Sequence, residues 1–229
     1  MFFFDTTYLW YVLIPTVVLS LGVQLYLKAT VSKWSNARNS QGLTGIQVGQ
    51  ALFQRTSLKP IPLERTPGTL SDHYDPRGNV VRLSEAIANQ PTVAAMAITA
   101  HELGHVEQHQ TRSPWIVMRN ILLPALQFSP MVSYIAILVG FWLNMTGLIW
   151  VGIAFFGLMV IFMLLTLPVE IDASRRGLRL LRQANLLQTE TEAGGARQVL
   201  SAAALTYVAA AVTAVLQLLY YISLVSRRN

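Results

Sequence analysis

One five-residue stretch of the chain has the residue types and the spacing of a metal-dependent hydrolase. His101-Glu102-Leu103-Gly104-His105 places two histidines four residues apart. On a helix these positions lie on one face, about one turn from each other, so both imidazoles can reach a single zinc ion. Glu102 is then placed to accept a proton from a water held by that ion, which is the general-base role in hydrolysis. The stretch therefore predicts one catalytic Zn²⁺ ion rather than a solvated polar helix end.

A third protein ligand is required, because a catalytic zinc ion usually has three and keeps one position open for water. A histidine six residues after His105 is one source, but that position holds Thr111. His109 lies four residues beyond His105, where successive steps of four drift about 40° each around a helix, so we interpret it as structural or solvated. The other source is a glutamate on a later helix. Glu170 is the best placed, since a glutamate at a membrane boundary needs a partner.

The elements that must position these side chains belong to a membrane protein. The chain has 229 residues, of which 53% are hydrophobic and 12% are charged. Soluble domains have roughly 25% charged residues, so both an ordinary soluble fold and a disordered chain are excluded. The absence of cysteine excludes disulfide frameworks, thiol catalysis and thiolate metal sites.

Three long uncharged runs predict the membrane spans. They contain 22 residues between Asp5 and Lys28, 50 between Arg119 and Glu170, and 29 between Arg197 and Arg227. About 20 apolar residues cross a bilayer as a helix, so the runs accommodate one, two and one spans. We predict spans at residues 7–27, 120–142, 147–168 and 200–224. Pro124 and Pro130 should kink the second span or delay its start.

The spans divide the chain into alternating apolar and polar parts. We predict a first transmembrane helix in 1–27, followed in 28–119 by a catalytic part. This part contains the helix that carries His101-Glu102-Leu103-Gly104-His105, which we call the zinc helix. A transmembrane hairpin in 120–168, a third-ligand helix and basic segment in 169–199, and a last transmembrane helix and tail in 200–229 complete the chain. The leader Met1–Asp5 has no basic residue and no Ala-x-Ala site ends the apolar run, so the first span should stay in the membrane.

The basic residues predict the orientation. Fifteen of the 17 lie in residues 28–119 and 170–197, which four spans place on one side of the membrane. The positive-inside tendency makes that side cytoplasmic, although Arg227 and Arg228 count against it. We therefore expect a multi-pass protein of the cytoplasmic membrane whose catalytic face is cytoplasmic.

Local patterns outline the polar part. Thr44 is a candidate N-cap for a helix, and turn-forming residues at 75–79 join two short extended pieces into a hairpin. Ser84 and Glu85 open a helical stretch, and the zinc helix should run from Thr92 to about Gln110.

These motifs together resemble the bacterial YugP-type membrane zinc metallopeptidases. The resemblance extends from about residue 40 to the C-terminus and rests on Ser71-Asp72-His73-Tyr74-Asp75-Pro76, Val81-Arg82-Leu83-Ser84, the zinc motif, Pro168-Val169-Glu170-x-Asp172-Ala173-Ser174-Arg175-Arg176 and the stretch 199–209. It implies a membrane-embedded gluzincin, more distantly similar to the HtpX and CAAX-processing metallopeptidases. It also implies a mainly α membrane protein with about four transmembrane helices and a small α+β zincin-like part with a short β-hairpin. The implied ligands are His101, His105 and Glu170, and the implied base is Glu102.

Four further residues receive weaker roles. In the distant relatives an aspartate four residues after the ligand glutamate supports the site. This chain has Ser174 there, so we assign the support to Asp172, whose carboxylate can orient a ligand imidazole. The hairpin resembles the strand edge that binds an extended peptide, where His73 or Tyr74 stabilises the oxyanion or merely anchors the turn. Arg175 begins a basic run that we interpret as an anchor on anionic headgroups rather than a substrate site.

The expected function is that of a membrane-embedded zinc-dependent endopeptidase acting on peptides or proteins, membrane proteins among them. The alternative is a non-enzymatic metal-binding membrane scaffold or adaptor. A transporter is disfavoured because the two longest uncharged runs contain no ionisable acid or base for an ion path. A nucleic-acid partner is excluded, since no recognition fold or stacking aromatic accompanies the basic run.

Overall fold

The computed structural model describes residues 5–226, which form seven helices and a three-stranded sheet. Two parts of the sequence used in these predictions lie outside the described residues. They are Met1–Phe4 of the leader, used for the first span, and Arg227 and Arg228, used for the orientation. The elements in chain order are α1 (Thr6–Ser35, with a π-helical turn at Leu9–Leu13), α2 (Gly45–Arg55), β1 (Leu63–Thr66), β2 (His73–Asp75), β3 (Val80–Ser84), α3 (Glu85–Asn89), α4 (Val93–Gln110), α5 (Pro114–Trp142), α6 (Thr146–Gln183) and α7 (Glu190–Ser226).

Four of the helices, α1, α5, α6 and α7, are long and apolar enough to cross a bilayer. They confirm the predicted fold class, and each extends beyond its predicted span at one or both ends. Pro124 and Pro130 lie inside α5 and do not delay its start. The helix begins earlier, at Pro114, because the fixed φ of proline suits the first helical position.

The chain divides into two compact units. Within the described residues, the apolar unit comprises residues 5–23, Val117–Pro168 and residues 206–226, and the polar unit comprises Gln24–Ile116 and Val169–Leu205. In the apolar unit, Trp10 is 61% exposed and Ile121 is 71% exposed. Soluble monomers rarely expose many large apolar side chains together, so this surface is suited to lipid tails.

The sheet of the polar unit confirms the predicted hairpin and extends it by one strand. The strand order is β1-β3-β2, with β3 antiparallel to β2 and parallel to β1. Val81 and Leu83 of the central strand are fully buried in a core that includes Leu52 of α2 and Leu103 of α4. The sheet is therefore anchored on the helix that carries the zinc motif.

Helix α4 runs where the sequence predicts it. The hydroxyl of Thr92 accepts a hydrogen bond from the N–H of Ala95, which caps the helix, and the small residues after it are buried. The middle of α4 crosses α6 at very short distance. A Cβ on Gly104 would overlap the carbonyl oxygen of Ala173, and one on Gly177 would come within 2.6 Å of the carbonyl oxygen of Ala100. This crossing places the start of the polar part of α6 beside the two histidines.

Candidate metal centre

Three side chains from two helices converge in the polar unit. His101 and His105 lie one turn apart on α4, and Glu170 lies on α6. One ligand atom from each falls within 4.8 Å of the others. The Oε2 atom of Glu170 is 3.3 Å from Nε2 of His101 and 3.6 Å from Nε2 of His105. The structure thus brings together the three residues that the sequence predicts as ligands.

The donor set and its surroundings fit a zinc ion. Glu170 is only 5% exposed, and its Oε2 has no hydrogen-bond partner among the described residues. A buried carboxylate oxygen without a partner is costly, whereas a cation between it and two imidazoles would compensate its charge. Two imidazole nitrogens and one carboxylate oxygen also match a catalytic zinc site, because they leave a fourth position open.

The other nitrogen of each imidazole is held by a neighbouring side chain. Nδ1 of His101 lies 3.1 Å from the hydroxyl of Ser174, and Nδ1 of His105 lies 3.0 Å from Oε1 of Gln108. These contacts orient both rings so that Nε2 faces Glu170. Burial lowers the pKa of His105, but the neighbouring carboxylates of Glu170 and Glu102 outweigh it and raise the pKa overall. The space between the two imidazoles and Glu170 therefore favours a positive charge.

Gln108 is a site residue that sequence reasoning missed. It is fully buried, and its amide donates to the carbonyl of Val169 at 2.8 Å and to the carboxylate of Asp172 at 2.7 Å. Asp172 therefore contacts His105 only through Gln108, while Arg176 donates to the same carboxylate oxygen at 2.8 Å. The spacing in the sequence indicates this contact, since Gln108 lies three residues after His105 and thus on the same helical face.

Ser174 occupies the position where the distant relatives have aspartate, and it contacts His101 in that place. A hydroxyl can serve because a single hydrogen bond to Nδ1 is enough to fix the ring orientation. The support of the two histidines is thus divided between Ser174 on one side and the Gln108–Asp172 pair on the other.

Glu102 is positioned by the edge strand of the sheet. It is 7% exposed, and its Oε2 accepts a hydrogen bond from the backbone N–H of Tyr74 in β2 at 2.9 Å. Its Oε1 accepts none from any residue in the range 5–226. One carboxylate oxygen is therefore fixed in place, and the other is available for a proton.

The loop before β2 is tied to the end of β3. The carboxylate of Asp72 accepts hydrogen bonds from the N–H of Ser84 at 2.7 Å and from its hydroxyl at 3.0 Å. Burial raises the pKa of Asp72 despite these hydrogen bonds. The contact fixes the register at which Tyr74 reaches Glu102.

The remaining predicted residues lie outside the three-residue cluster. His73 is exposed, and its Nδ1 is 2.8 Å from the carbonyl oxygen of Ser71 in the same turn. The hydroxyl of Tyr74 donates to Asn79 at 3.0 Å, and its ring lies against His109. Arg175 is exposed on α6. The oxyanion role of His73 or Tyr74 stays a prediction.

Comparisons with known proteins identify the family of the chain. The family model described as "putative neutral zinc metallopeptidase" matches residues 9–226. A Bacillus subtilis (strain 168) protein named "Putative membrane protease YugP" is 37% identical over 204 residues, which cover 89% of this chain and 90% of that protein. No solved structure matches. The family match and this relative confirm the resemblance seen in the motifs, and the chain belongs to this family of neutral zinc metallopeptidases.

Proposed function

We propose that the protein is a membrane-embedded zinc endopeptidase in which His101, His105 and Glu170 bind one zinc ion and Glu102 is the general base. The observation that carries the proposal is the approach of the three ligand atoms to within 4.8 Å, with the charge of Glu102 beside them. The family supports peptide hydrolysis as the reaction, and the four apolar helices support a membrane location.

The residues of the chain divide the chemistry between them. When bound, zinc supplies the Lewis acidity that polarises the scissile carbonyl and the attacking water. Glu102 accepts the proton of that water on Oε1 and later delivers it to the leaving amine. The N–H of Tyr74 keeps Oε2 in place during both transfers. Ser174 and Gln108 hold the two imidazoles, so the site does not have to reorganise.

The experiment that tests this function is hydrolysis of a fluorescently labelled unfolded protein by the purified chain in detergent. We expect cleavage that a chelator stops and that added zinc restores. The rival function, a metal-binding scaffold or adaptor, would bind zinc but release no fragments at any zinc concentration. Fragment release is thus the result that separates the two functions.

Replacing Gln108 with leucine should weaken zinc binding. The substitution keeps the volume of the side chain but removes the contact that orients His105 and the side-chain hydrogen bond to the carbonyl of Val169. Loss of such an orienting contact typically costs about 10–100-fold in metal affinity. Competition with a chromophoric chelator measures the change. Gln110→Leu is the matched control, because among residues 5–226 the side chain of Gln110 forms hydrogen bonds with the backbone of Lys59 alone. An unchanged affinity in Gln108→Leu would refute the orienting role.

We further propose that the polar unit faces the cytoplasm, from the distribution of basic residues. The chain has no cysteine, so single cysteines introduced at Arg77 and Met145 report topology without background. A membrane-impermeant maleimide should label Met145→Cys in intact cells and Arg77→Cys only after permeabilisation. The reverse pattern would place the polar unit outside.

A further inference from the structure

A cleft of about 240 Å³ lies in the polar unit between α6 and α7, apart from the three proposed ligands. Its walls combine two guanidinium groups, two hydroxyl groups and apolar side chains. The lining residues that matter are Arg175, Arg197, Ser174, Ser201, Ile171 and Leu200. Two guanidinium groups and two hydroxyls that line one cleft suit a phosphate, because arginine presents several donors in a fixed fork.

The two arginines of the cleft differ from Arg176 and Arg179 on α6. Arg176 pairs with Asp172 and Glu107, and Arg179 pairs with Glu107. Arg175 and Arg197 are exposed, and within residues 5–226 neither forms an ion pair or a side-chain hydrogen bond. Their charge is therefore available to a ligand, whereas that of Arg176 and Arg179 is compensated within the protein.

The positions of both arginines along the chain place the cleft at a polar–apolar boundary. Arg175 follows closely after the 50-residue uncharged run, and Arg197 is the last charged residue before the 29-residue run. Lipid headgroups lie where a transmembrane helix changes from apolar to charged residues. Basic pockets between such helices are suited to anionic headgroups, and apolar residues such as Ile171 and Leu200 can contact the adjoining acyl chains.

We propose that this cleft is a specific site for an anionic phospholipid, with Arg175 and Arg197 binding its phosphate. Ser174 is shared, since it lines the cleft and contacts His101. The bound headgroup would therefore lie beside the proposed metal centre. The site needs no metal and no hydrolysis, so it goes beyond the proposed function and is tested without measuring activity.

Native mass spectrometry of the purified full chain, titrated with phosphatidylglycerol, tests the proposal. Arg175→Gln/Arg197→Gln should weaken lipid binding by at least about tenfold, because each variant side chain loses charge-assisted hydrogen bonds to the phosphate. Lys28→Gln/Arg182→Gln is the matched control. It removes the same charge, and Lys28 directly follows an uncharged run, but neither residue lines the cleft. The control should bind the lipid as the wild type does.

Further binding measurements distinguish an anionic phospholipid from other ligands. Phosphatidylcholine should bind at least about tenfold more weakly than phosphatidylglycerol, and millimolar inorganic phosphate should not displace the lipid. Arg175→Lys/Arg197→Lys keeps the charge and should lose less affinity than the glutamine pair. Thermal unfolding checks that all variants are folded. Equal binding by the glutamine pair and the wild type, an equal loss in the control, or displacement by inorganic phosphate would each overturn the proposal.

Discussion

Glu102→Gln should stop peptide hydrolysis and leave zinc in place. Glutamine has the same shape, and its amide oxygen can still accept the hydrogen bond from the N–H of Tyr74. It cannot accept the proton of the attacking water, and general-base catalysis contributes typically about 10²–10⁴-fold to the rate. We therefore expect the rate of fragment release to fall by at least that factor, with one zinc ion per chain retained.

The matched control for this variant is Glu107→Gln on the same helix. Glu107 forms ion pairs with Arg176 and Arg179 and is not among the three converging residues. Its replacement removes the same negative charge and should leave the rate of hydrolysis within a few-fold of the wild type. A Glu102→Gln protein that cleaves the substrate at the wild-type rate would show that another group acts as the base.

Gly104→Ala should destabilise the polar unit and move the three proposed ligands apart. The added Cβ would overlap the carbonyl oxygen of Ala173, and no side-chain rotation relieves a contact with backbone. Overpacking of this kind costs about 1–3 kcal/mol or more, and we expect the upper end of that range. If the helices move apart instead, Glu170 moves with α6, because it lies one turn before Ala173. Both the midpoint of thermal unfolding and the zinc content should therefore fall.

Gly194→Ala provides the control for the glycine effect. Gly194 is also helical, but a Cβ added there would meet no atom within 4 Å. Alanine there should raise the free energy of unfolding by roughly 0.5–1 kcal/mol, the usual gain for glycine to alanine in a helix. If Gly104→Ala behaved like Gly194→Ala, the close crossing of α4 and α6 would not be what holds the ligands together.

The zinc helix and the membrane spans were predictable because their signals are local. Two histidines at helical spacing indicate the helix, and the predicted range from Thr92 to about Gln110 matches α4 (Val93–Gln110) within a residue. The uncharged runs fix the number of long helices. Glu170 was also predictable as a candidate, because acidic residues are scarce and it lies directly at the end of a span.

The hydrogen-bond partners of the proposed ligands were not predictable, because they depend on how two helices cross. The sequence reasoning connected Asp172 directly to an imidazole, whereas its carboxylate contacts Gln108, which in turn contacts His105. The role of Ser174 in place of aspartate became clear only from its distance to His101. The pairing of β1 with β3 is similarly non-local, since the strands are parallel and β2 lies between them in the chain.

The measurement that tests the central claim most directly is the zinc content of the purified protein and of two variants, by elemental analysis. The wild type and His109→Ala should each contain one zinc ion per chain, because His109 is not among the converging ligands. Glu170→Ala should contain much less after dialysis, since it removes the only carboxylate of the cluster. Full zinc content in Glu170→Ala together with loss in His109→Ala would contradict the proposed ligand set.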